Sequence, residues 1–338
     1  MINDIAEQIK KGSKAGKKEY QFNESHDQNQ PANMWFQESD EGLILFIVFY
    51  TQACRWSQCL GCNLPSQMSH KHISYKAIIS QIDTVFADKK VKARKKRIRK
   101  VILSNNGSIL DEDTFSSMAF MYLLVHLNMH FPNLALLSIE SRIEYIETSE
   151  LEFIARALAE NDTPTQLEIA IGFEAFDDHI RNRVFKKGLT LSRFQRFVKK
   201  MAPYKFHLKC YFMQKPVPGI SDEEAVLDIK NAIDYLAEIA ISYHVKINMH
   251  LNPTFAARGT ALEKAFLKGR YQPPLLIDTA RAAVYSKGKP VSIFIGLYDE
   301  GLAVDGGSFI RPGDEKLVED LEEFNRTQDY SILERIIS

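Results

Sequence analysis

The 338-residue sequence has no excess of charge of either sign, few cysteines and no long apolar run. Lysine plus arginine and aspartate plus glutamate each number 43, so net charge provides no overall attraction to nucleic acid or to anionic membranes. The longest apolar run, 43–50, is too short for a membrane helix, and the start of the chain lacks the order of a signal peptide. With 45% hydrophobic residues the chain can bury a core, which excludes global disorder and a small disulfide scaffold. We expect a globular, cytoplasmic protein with no membrane segment.

Short apolar runs alternate with longer amphipathic stretches from Gly42 onward, which is the pattern of repeated βα units around a parallel sheet. The runs predict six strands, at 43–50, 100–104, 134–139, 167–173, 206–213 and 245–251, and a seventh strand or edge element at 291–297. The intervening stretches predict helices at 74–93, 111–130, 148–160, 177–184, 192–201 and 221–242. Ser221 and Glu224 have the spacing of a capping box, and Asp111 and Asp177 are predicted N-caps.

These elements predict an α/β fold, a partial (β/α)6 TIM-like barrel with an N-terminal arm and a C-terminal helical extension. Residues 1–34 are expected to form a flexible polar arm that packs only near Trp35 and Phe36. Residues 35–307 would form the barrel, and residues 308–338 a helical tail that is broken near Thr327.

Polar side chains lie at the end of each of the six predicted strands, and parallel βα barrels carry their chemistry at that end of the strands. The polar segments are 51–54, 104–108, 140–142, Glu174, Gln214–Pro216 and the pair His250 and Asn252. An arbitrary globular protein would not usually place polar groups at every strand end. The site is therefore predicted at this end of the barrel.

Three of the four cysteines, Cys54, Cys59 and Cys62, lie within nine residues. In a reducing cytosol such a cluster indicates metal ligands rather than disulfides. Three thiolates spaced Cys-x4-Cys-x2-Cys can bind three irons of a 4Fe-4S cluster and leave the fourth iron without a protein ligand. Structural zinc is the main competitor, because His70 or His72 could complete a Cys3His set. Cys210 lies inside a predicted strand and is expected in the core.

A three-cysteine loop directly after the first strand of an apparent six-unit barrel resembles the radical S-adenosylmethionine (SAM) superfamily. The resemblance implies that Cys54, Cys59 and Cys62 bind a 4Fe-4S cluster and that SAM chelates the open iron. It also implies an external electron donor, whose electron cleaves SAM to a 5′-deoxyadenosyl radical that abstracts a substrate hydrogen. The commonest superfamily spacing is Cys-x3-Cys-x2-Cys with an aromatic residue before the last cysteine, whereas this chain has one more residue and Gly61 at that position. Segment 104–108 falls where the superfamily has its Gly-Gly-Glu-like segment. Segments 137–142, 170–174 and 251–253 are similar to the branch of elongator-type proteins and the archaeosine-synthase radical SAM subunit, which acts on tRNA.

The resemblance also implies roles for polar residues outside the cysteine loop. It implies that the backbone of Asn105, Asn106 and Gly107 receives the SAM amino group, although such residues also form ordinary turns. Glu140 is a candidate for SAM or substrate, Glu174 for the ribose hydroxyls of SAM, and Lys187 for its carboxylate. The substrate candidates are Arg142, Asn248, His250 and Asn252. The alternatives are a Glu140–Arg142 surface ion pair, a solvated charged face around Lys187 and a core role for His250.

Nine of the twelve residues from Lys89 to Lys100 are lysine or arginine, which predicts a patch that could bind tRNA phosphates. A solvated helix end is an equal interpretation of that segment. The leading hypothesis is a radical SAM enzyme that modifies a tRNA nucleoside, for instance by cleaving a side-chain bond on a modified base. The alternatives are a radical SAM enzyme for a small metabolite or cofactor precursor, a non-catalytic RNA-binding protein with structural zinc, and a scaffold or electron-transfer protein whose cluster ignores SAM.

Overall fold

The computed structural model describes residues 4–160 and 164–338, which form two compact units. Unit 1 comprises Met1–Gly12, Gln21–Ser57 and Leu64–Ile171, and unit 2 comprises Ser13–Tyr20, Gln58–Asn63 and Gly172–Ser338. In the described residues eight strands follow one another through a sheet in chain order. This order, with helices between the strands, confirms the predicted α/β fold of the partial TIM-like barrel type.

The elements from the N-terminus through the fifth strand alternate between helix and strand, apart from one pair of adjacent strands and one pair of adjacent helices. They are α1 (Ile5–Ala15), β1 (Asn33–Ser39), β2 (Gly42–Val48), α2 (Tyr75–Ala87), α3 (Lys89–Arg94), β3 (Ile98–Ser104), α4 (Ser117–His130), β4 (Leu136–Glu140), α5 (Thr148–Ala159) and β5 (Gln166–Glu174). β1 pairs antiparallel with β2, and β2 to β5 are parallel. The residues Leu43–Val48 of β2 are all buried, because a parallel strand covered on both faces carries an unbroken apolar run.

Unit 2 continues the same alternation and ends in helices. Its elements are α6 (Leu191–Met201), β6 (His207–Gln214), α7 (Asp222–Tyr243), β7 (Ile247–Pro253), α8 (Ala261–Leu267), α9 (Leu276–Ala283), β8 (Ser292–Ile295), α10 (Glu315–Thr327) and α11 (Tyr330–Ile337). β6, β7 and β8 are parallel. The capping box at α7 is confirmed, since the Ser221 hydroxyl accepts from the Glu224 amide and the Glu224 carboxylate accepts from the Ser221 amide.

The six predicted strands and the seventh at β8 are all present, whereas several predicted boundaries of other elements were wrong. β1 was not predicted. The predicted helix 74–93 is divided at Asp88, whose carboxylate accepts the amides of Lys90 and Val91 and so starts α3. α4 begins at Ser117 with Ser116 as its cap, so Asp111 is not the N-cap. The segment 179–184 is a π-helical turn, and the tail is broken after Thr327 as predicted.

The expectation that the N-terminal arm packs only near Trp35 and Phe36 was wrong. Residues 5–15 form α1, and the side chain of Ile9 on this helix is fully buried. The helix is amphipathic, so its apolar stripe packs against the protein while its lysines face solvent. The boundaries 1–34, 35–307 and 308–338 themselves stay predictions.

Lys100, near the start of β3 in unit 1, is buried completely, whereas one of its two partners, Glu41, is partly exposed. Its ammonium lies 2.6 Å from Glu41 Oε2 and 2.8 Å from Glu168 Oε1, and Glu168 is buried as well. Burial alone would lower the pKa of Lys100, but the attraction of the two carboxylates outweighs it and raises that pKa. Lys100 therefore does not belong to the predicted surface patch of basic residues.

No helix in the described ranges has both the length and the low polarity that crossing a membrane requires.

Candidate functional site

In unit 1, the segment after β2 leads directly to Cys54. The Phe49 amide donates to the Ser104 carbonyl, and the Ala53 amide donates to the Ser69 carbonyl, both at 2.8 Å. The carbonyl of Cys54 accepts a hydrogen bond of 2.5 Å from the Ser57 hydroxyl. These bonds fix the backbone on either side of the cysteine, and its thiol remains partly exposed.

Gly107 approaches Cys54 closely in unit 1. A Cβ atom added at Gly107 would lie 3.3 Å from Cys54 Cα and 3.4 Å from both Cys54 Cβ and Asn105 Oδ1. A side chain at this position would therefore be tight against Cys54, which would have to give by a few tenths of an ångström. The loop after β3 therefore covers the backbone of the first motif cysteine, which brings together residues more than fifty positions apart in the sequence.

Asn105 and Asn106 hold the loop after β3 in place. The Asn105 side chain is buried and its amide nitrogen donates to Ser108 O and Thr114 Oγ1 at 3.4 Å, but its Oδ1 accepts nothing from the described part of the chain. Asn106 has φ of 53°, and its side chain donates to Gln67 Oε1 at 2.8 Å. The buried, unpaired oxygen of Asn105 is an acceptor that a bound donor could satisfy.

Two arginines near Cys54 make contacts that the sequence analysis missed. Arg55 forms two hydrogen bonds of 2.7 Å to the carboxylate of Asp111. Burial raises the pKa of Asp111, although Arg55 acts in the opposite direction. Arg142 lies 4.3 Å above the Trp56 ring and forms an ion pair of 2.6 Å with Glu144. The contacts of Arg55 with Asp111 and of Arg142 with Trp56 join residues that are distant in the sequence, so no local pattern reports them.

Glu140 ends β4 and is only partly buried, and its carbonyl accepts the Ile109 amide at 2.9 Å. This bond joins the end of β4 to the loop after β3 within unit 1. The Arg142 amide nearby donates to the Ser108 hydroxyl at 3.1 Å, which ties the same two segments together a second time.

In unit 2, the Cys59–Cys62 segment is a tight loop held by its backbone. The Cys62 amide donates to the Cys59 carbonyl at 3.2 Å, and the Leu60 amide donates to the Phe185 carbonyl at 2.9 Å. The Lys18 ammonium donates to the Cys62 carbonyl. Both thiols are partly exposed. Gly61 explains the missing aromatic residue of the motif, because a Cβ there would lie 2.5 Å from a methyl group of Leu262.

Glu174 and Lys187 form an ion pair over Gly172 in unit 2. Lys187 Nζ lies 2.8 Å from Glu174 Oε1, and both side chains are largely buried. A Cβ added at Gly172 would lie 2.5 Å from Glu174 Oε1 and would also collide with Lys187 Nζ. Glu174 has φ of 77°, which is strained for a residue with a side chain, and such strain is concentrated at functional sites.

The predicted substrate residues of β7 lie on one face of the strand, as alternation requires. The His250 ring lies between Tyr211 and Phe294, with ring centroids 4.8 and 4.7 Å apart. Asn248 Oδ1 accepts from Lys209 Nζ at 3.0 Å. Lys209 is almost fully buried and was missed, although a lysine inside an apolar strand is a visible signal.

Gly296, just beyond β8, makes room for two of the substrate candidates, His250 and Asn252. A Cβ added at Gly296 would lie 3.0 Å from His250 Nε2 and would collide with Asn252 Oδ1. Asn252 and His250 therefore share a space that a side chain at position 296 would fill.

No group of three or more His, Cys, Asp or Glu side chains in the described ranges is arranged to hold a metal ion. Cys54 belongs to unit 1, and Cys59 and Cys62 belong to unit 2. His70, a candidate for structural zinc, has its Nε2 3.1 Å from the Ala6 carbonyl oxygen and its ring against Phe22. Cys210 is fully buried, as predicted for a core residue.

Most of the basic side chains in the segment after α2 are exposed, whereas Lys100 at its end is buried. Lysine and arginine side chains at 89, 90, 92, 95, 96, 97 and 99 are exposed, and that of Arg94 lies 5.0 Å from the Phe36 ring. Arg97 pairs with Glu38 at 3.4 Å, and Arg99 donates to the Asn133 carbonyl. The surface cluster therefore spans 89–99.

No protein-family model matches the chain. It is 26% identical over 318 residues to an uncharacterised protein of Methanocaldococcus jannaschii, covering 91% of this chain and 84% of that protein. It is 26% identical over 255 residues to the archaeosine synthase subunit beta of Methanosarcina acetivorans, covering 73% of this chain and 69% of that subunit. The archaeosine synthase subunit beta of Thermococcus kodakarensis is 23% identical over 301 residues, covering 87% of this chain and 88% of that subunit. The predicted resemblance to the archaeosine-synthase subunits is confirmed.

Two solved structures are more distantly similar. Elp3 of Methanocaldococcus infernus has a TM-score of 0.49 at 15% identity, covering 74% of this chain and 58% of that chain. SuiB of Streptococcus suis, bound to its precursor peptide SuiA, has a TM-score of 0.46 at 12% identity, covering 78% of this chain and 50% of that chain. Both TM-scores lie below 0.5. The assignment of the fold therefore rests on the strand order of this chain and not on these two structures.

Proposed function

We propose that this protein is a radical SAM enzyme in which Cys54, Cys59 and Cys62 bind a 4Fe-4S cluster. The observation that carries the proposal is the close approach of Gly107 to Cys54. It puts a glycine loop from a strand end against the first cysteine of the Cys-x4-Cys-x2-Cys motif.

The residues present fit such a cluster and its cosubstrate in their chemistry. Three partly exposed thiols provide soft ligands for three irons, and a fourth iron position is left for SAM. The buried Oδ1 of Asn105, which accepts nothing from the described residues, is free to accept from the SAM amino group. When bound, the cluster would supply the electron that cleaves SAM and yields the radical that abstracts a substrate hydrogen.

The chain's own side chains would bind and orient SAM. In unit 1, Asn106 holds the loop after β3 in place, and Asn105 accepts a hydrogen bond from the SAM amino group. Glu140, at the end of β4, is a further candidate for binding SAM. In unit 2, the carboxylate of Glu174 accepts the ribose hydroxyls and the ammonium of Lys187 binds the SAM carboxylate. Glu174 and Lys187 form an ion pair with each other. When SAM binds, each side chain would give up this partner and contact a polar group of SAM instead.

The candidates for binding the substrate are Arg142 in unit 1 and, in unit 2, the polar residues of β7. Arg142 stacks on Trp56, so its guanidinium is held in one plane for an anionic group. Asn248, His250 and Asn252 share one face of β7 and provide hydrogen-bonding groups beside aromatic rings. Such a combination suits a planar, polar substrate such as a nucleobase.

We propose that the substrate is a nucleoside of tRNA, which is supported by the likeness to the archaeosine synthase subunits and by the basic residues of 89–99. Removing one side chain that binds a phosphate should lower the slope of log affinity against log salt by about 0.9 for a duplex. Lys89→Glu and Lys96→Glu should therefore weaken tRNA binding and flatten its salt dependence, while SAM cleavage without tRNA stays unchanged.

The decisive experiment is anaerobic reconstitution with iron and sulfide, reduction with dithionite as the external donor, and chromatography of 5′-deoxyadenosine after SAM is added. Cys59→Ala should abolish the product. Cys210→Ala is the matched control, because it removes the one cysteine outside the motif and should keep the product. Protein that binds zinc after anaerobic purification, or a cluster that never cleaves SAM, would contradict the proposal. Cleavage that responds to a small metabolite and not to tRNA would contradict the substrate assignment alone.

A further inference from the structure

The helix α4 contains no aspartate, glutamate, lysine or arginine, although it lies on the surface of unit 1. Its inner face buries five residues, Ala119, Phe120, Leu123, Leu124 and Leu127. Its outer face exposes four apolar side chains to 52–71%, namely Met118, Met121, Val125 and Met129. Spacings of three, four and four residues place these four on one stripe. A helix that is apolar all round is typical of a buried helix, so this stripe lacks its covering.

The amino-terminal end of α4 is surrounded by carboxylates. The Ser117 hydroxyl donates to Glu112 Oε1 at 2.8 Å. Burial raises the pKa of Glu150 to about 6, and repulsion by Glu112 and Glu147 acts in the same direction. Three negative groups therefore gather at this end of the helix.

The carboxyl-terminal end of α4 is surrounded by cations. Burial lowers the pKa of His130, and the nearby His126, Lys95 and Lys92 lower it further. The lysines belong to the exposed segment that begins with α3. The two ends of the same apolar stripe thus carry opposite charge.

A stripe with opposite charge at its two ends is complementary to itself when it is turned end for end. We propose that α4 of one copy packs antiparallel against α4 of a second copy in a two-fold symmetric dimer. The symmetry brings the glutamates of each copy next to Lys92 and Lys95 of the other, whereas a parallel pairing would oppose like charges. Val125 and Met121 lie near the middle of the stripe, where the two-fold axis would pass. Phe153 on α5, which packs beside α4, is a further exposed apolar side chain.

Analytical ultracentrifugation over a range of concentrations tests the dimer without SAM, cluster or tRNA, so its outcome is independent of the proposed activity. Val125→Glu should raise the dimer dissociation constant at least about tenfold, because each copy would bury a charge at the centre of the contact. Leu227→Glu is the matched control, since Leu227 on α7 is exposed to 56% against 55% for Val125. The control should leave the dissociation constant unchanged.

A charge exchange tests the antiparallel arrangement itself. Lys92→Glu with Lys95→Glu should weaken the dimer, as should Glu147→Lys with Glu150→Lys, and the four substitutions together should restore it. Oxidation footprinting of the unmodified protein adds a measurement that needs no variant: Met118, Met121 and Met129 should be protected as concentration rises.

A chain that stays monomeric up to about 100 μM overturns the proposal, since that affinity is too weak for a specific dimer of this kind. A dimer that Val125→Glu leaves intact also overturns it, because another surface then makes the contact. Loss of the dimer in each charge variant without restoration in the combined one overturns the antiparallel arrangement. If a different protein covers the stripe and a second copy of the chain does not, the assignment to a second copy is overturned.

Discussion

The substitution Gly172→Ala should weaken SAM binding and leave assembly of the 4Fe-4S cluster intact. The added methyl group would lie 2.5 Å from Glu174 Oε1 and would collide with Lys187 Nζ as well. Both atoms are the ends of flexible side chains, so the pair should move while the backbone stays in place. The variant thus removes two proposed SAM ligands from their positions without changing either of them chemically.

The magnitude follows from the hydrogen bonds that would be broken. A hydrogen bond to a charged group contributes about 1.5–3 kcal/mol. At 1.4 kcal/mol per factor of ten, losing one such bond to the ribose raises the SAM dissociation constant about 10- to 140-fold. The free energy of unfolding should change by less than about 1 kcal/mol, since the collision is relieved by side chains alone.

Equilibrium dialysis with anaerobically reconstituted protein measures the SAM affinity, and iron and sulfide analysis measures the cluster. Gly296→Ala is the matched control, because it applies the same substitution to a glycine that faces His250 and Asn252 instead. It should retain the SAM affinity and impair only substrate binding. An unchanged SAM affinity in Gly172→Ala, or an equal loss in both variants, would refute the assigned roles of Glu174 and Lys187.

Three further predictions concern stability and use chemical denaturation. Lys100→Met should lower the free energy of unfolding by about 3–5 kcal/mol, because Glu168 is left as a buried charge without its cation. Adding Glu168→Gln to this variant should recover part of the lost stability. A double variant that recovers none of it would contradict the pairing. Glu150 has a folded pKa of about 6 against 4.5, so its ionisation opposes folding as the pH rises through that window. Glu150→Gln should therefore add about 1 kcal/mol at pH 8, half of the full value because the side chain is partly solvated, and nothing at pH 4. Ser221→Ala should cost about 1 kcal/mol through loss of the cap of α7, whereas Ser221→Asp should not.

The sequence predicted the parallel strands well, because burial on both faces leaves an unbroken apolar run such as Leu43–Val48. β1 was missed because it pairs antiparallel at one end of the strand order and mixes polar with apolar residues. The helix boundary at Asp88 was missed because a carboxylate inside a polar stretch has no distinctive pattern until its acceptor role is visible.

Glu140 and Glu174 end their strands and Asn105 follows the end of β3, but the contacts of the predicted site residues were not predictable. The approach of Gly107 to Cys54 and the stacking of Arg142 on Trp56 join residues that are distant in sequence, so no local pattern reports them. Lys100 was assigned to the surface because it ends a run of basic residues, and only the fold shows that β3 carries it inward. The interpretation of Cys210 succeeded because an apolar strand surrounds it.

The buried ammonium of Lys100 also acts as a register anchor for β3. Sliding the strand by one residue would turn the charge to the opposite face and separate it from Glu41 and Glu168, at a cost of several kcal/mol. The loop that packs on Cys54 begins with Asn105, five residues or about 16 Å further along the same direction. The ion pairs of Lys100 near the start of β3 therefore determine the position of the backbone at the other end of the strand. A substitution far from the cysteines could thus misplace the loop that covers Cys54.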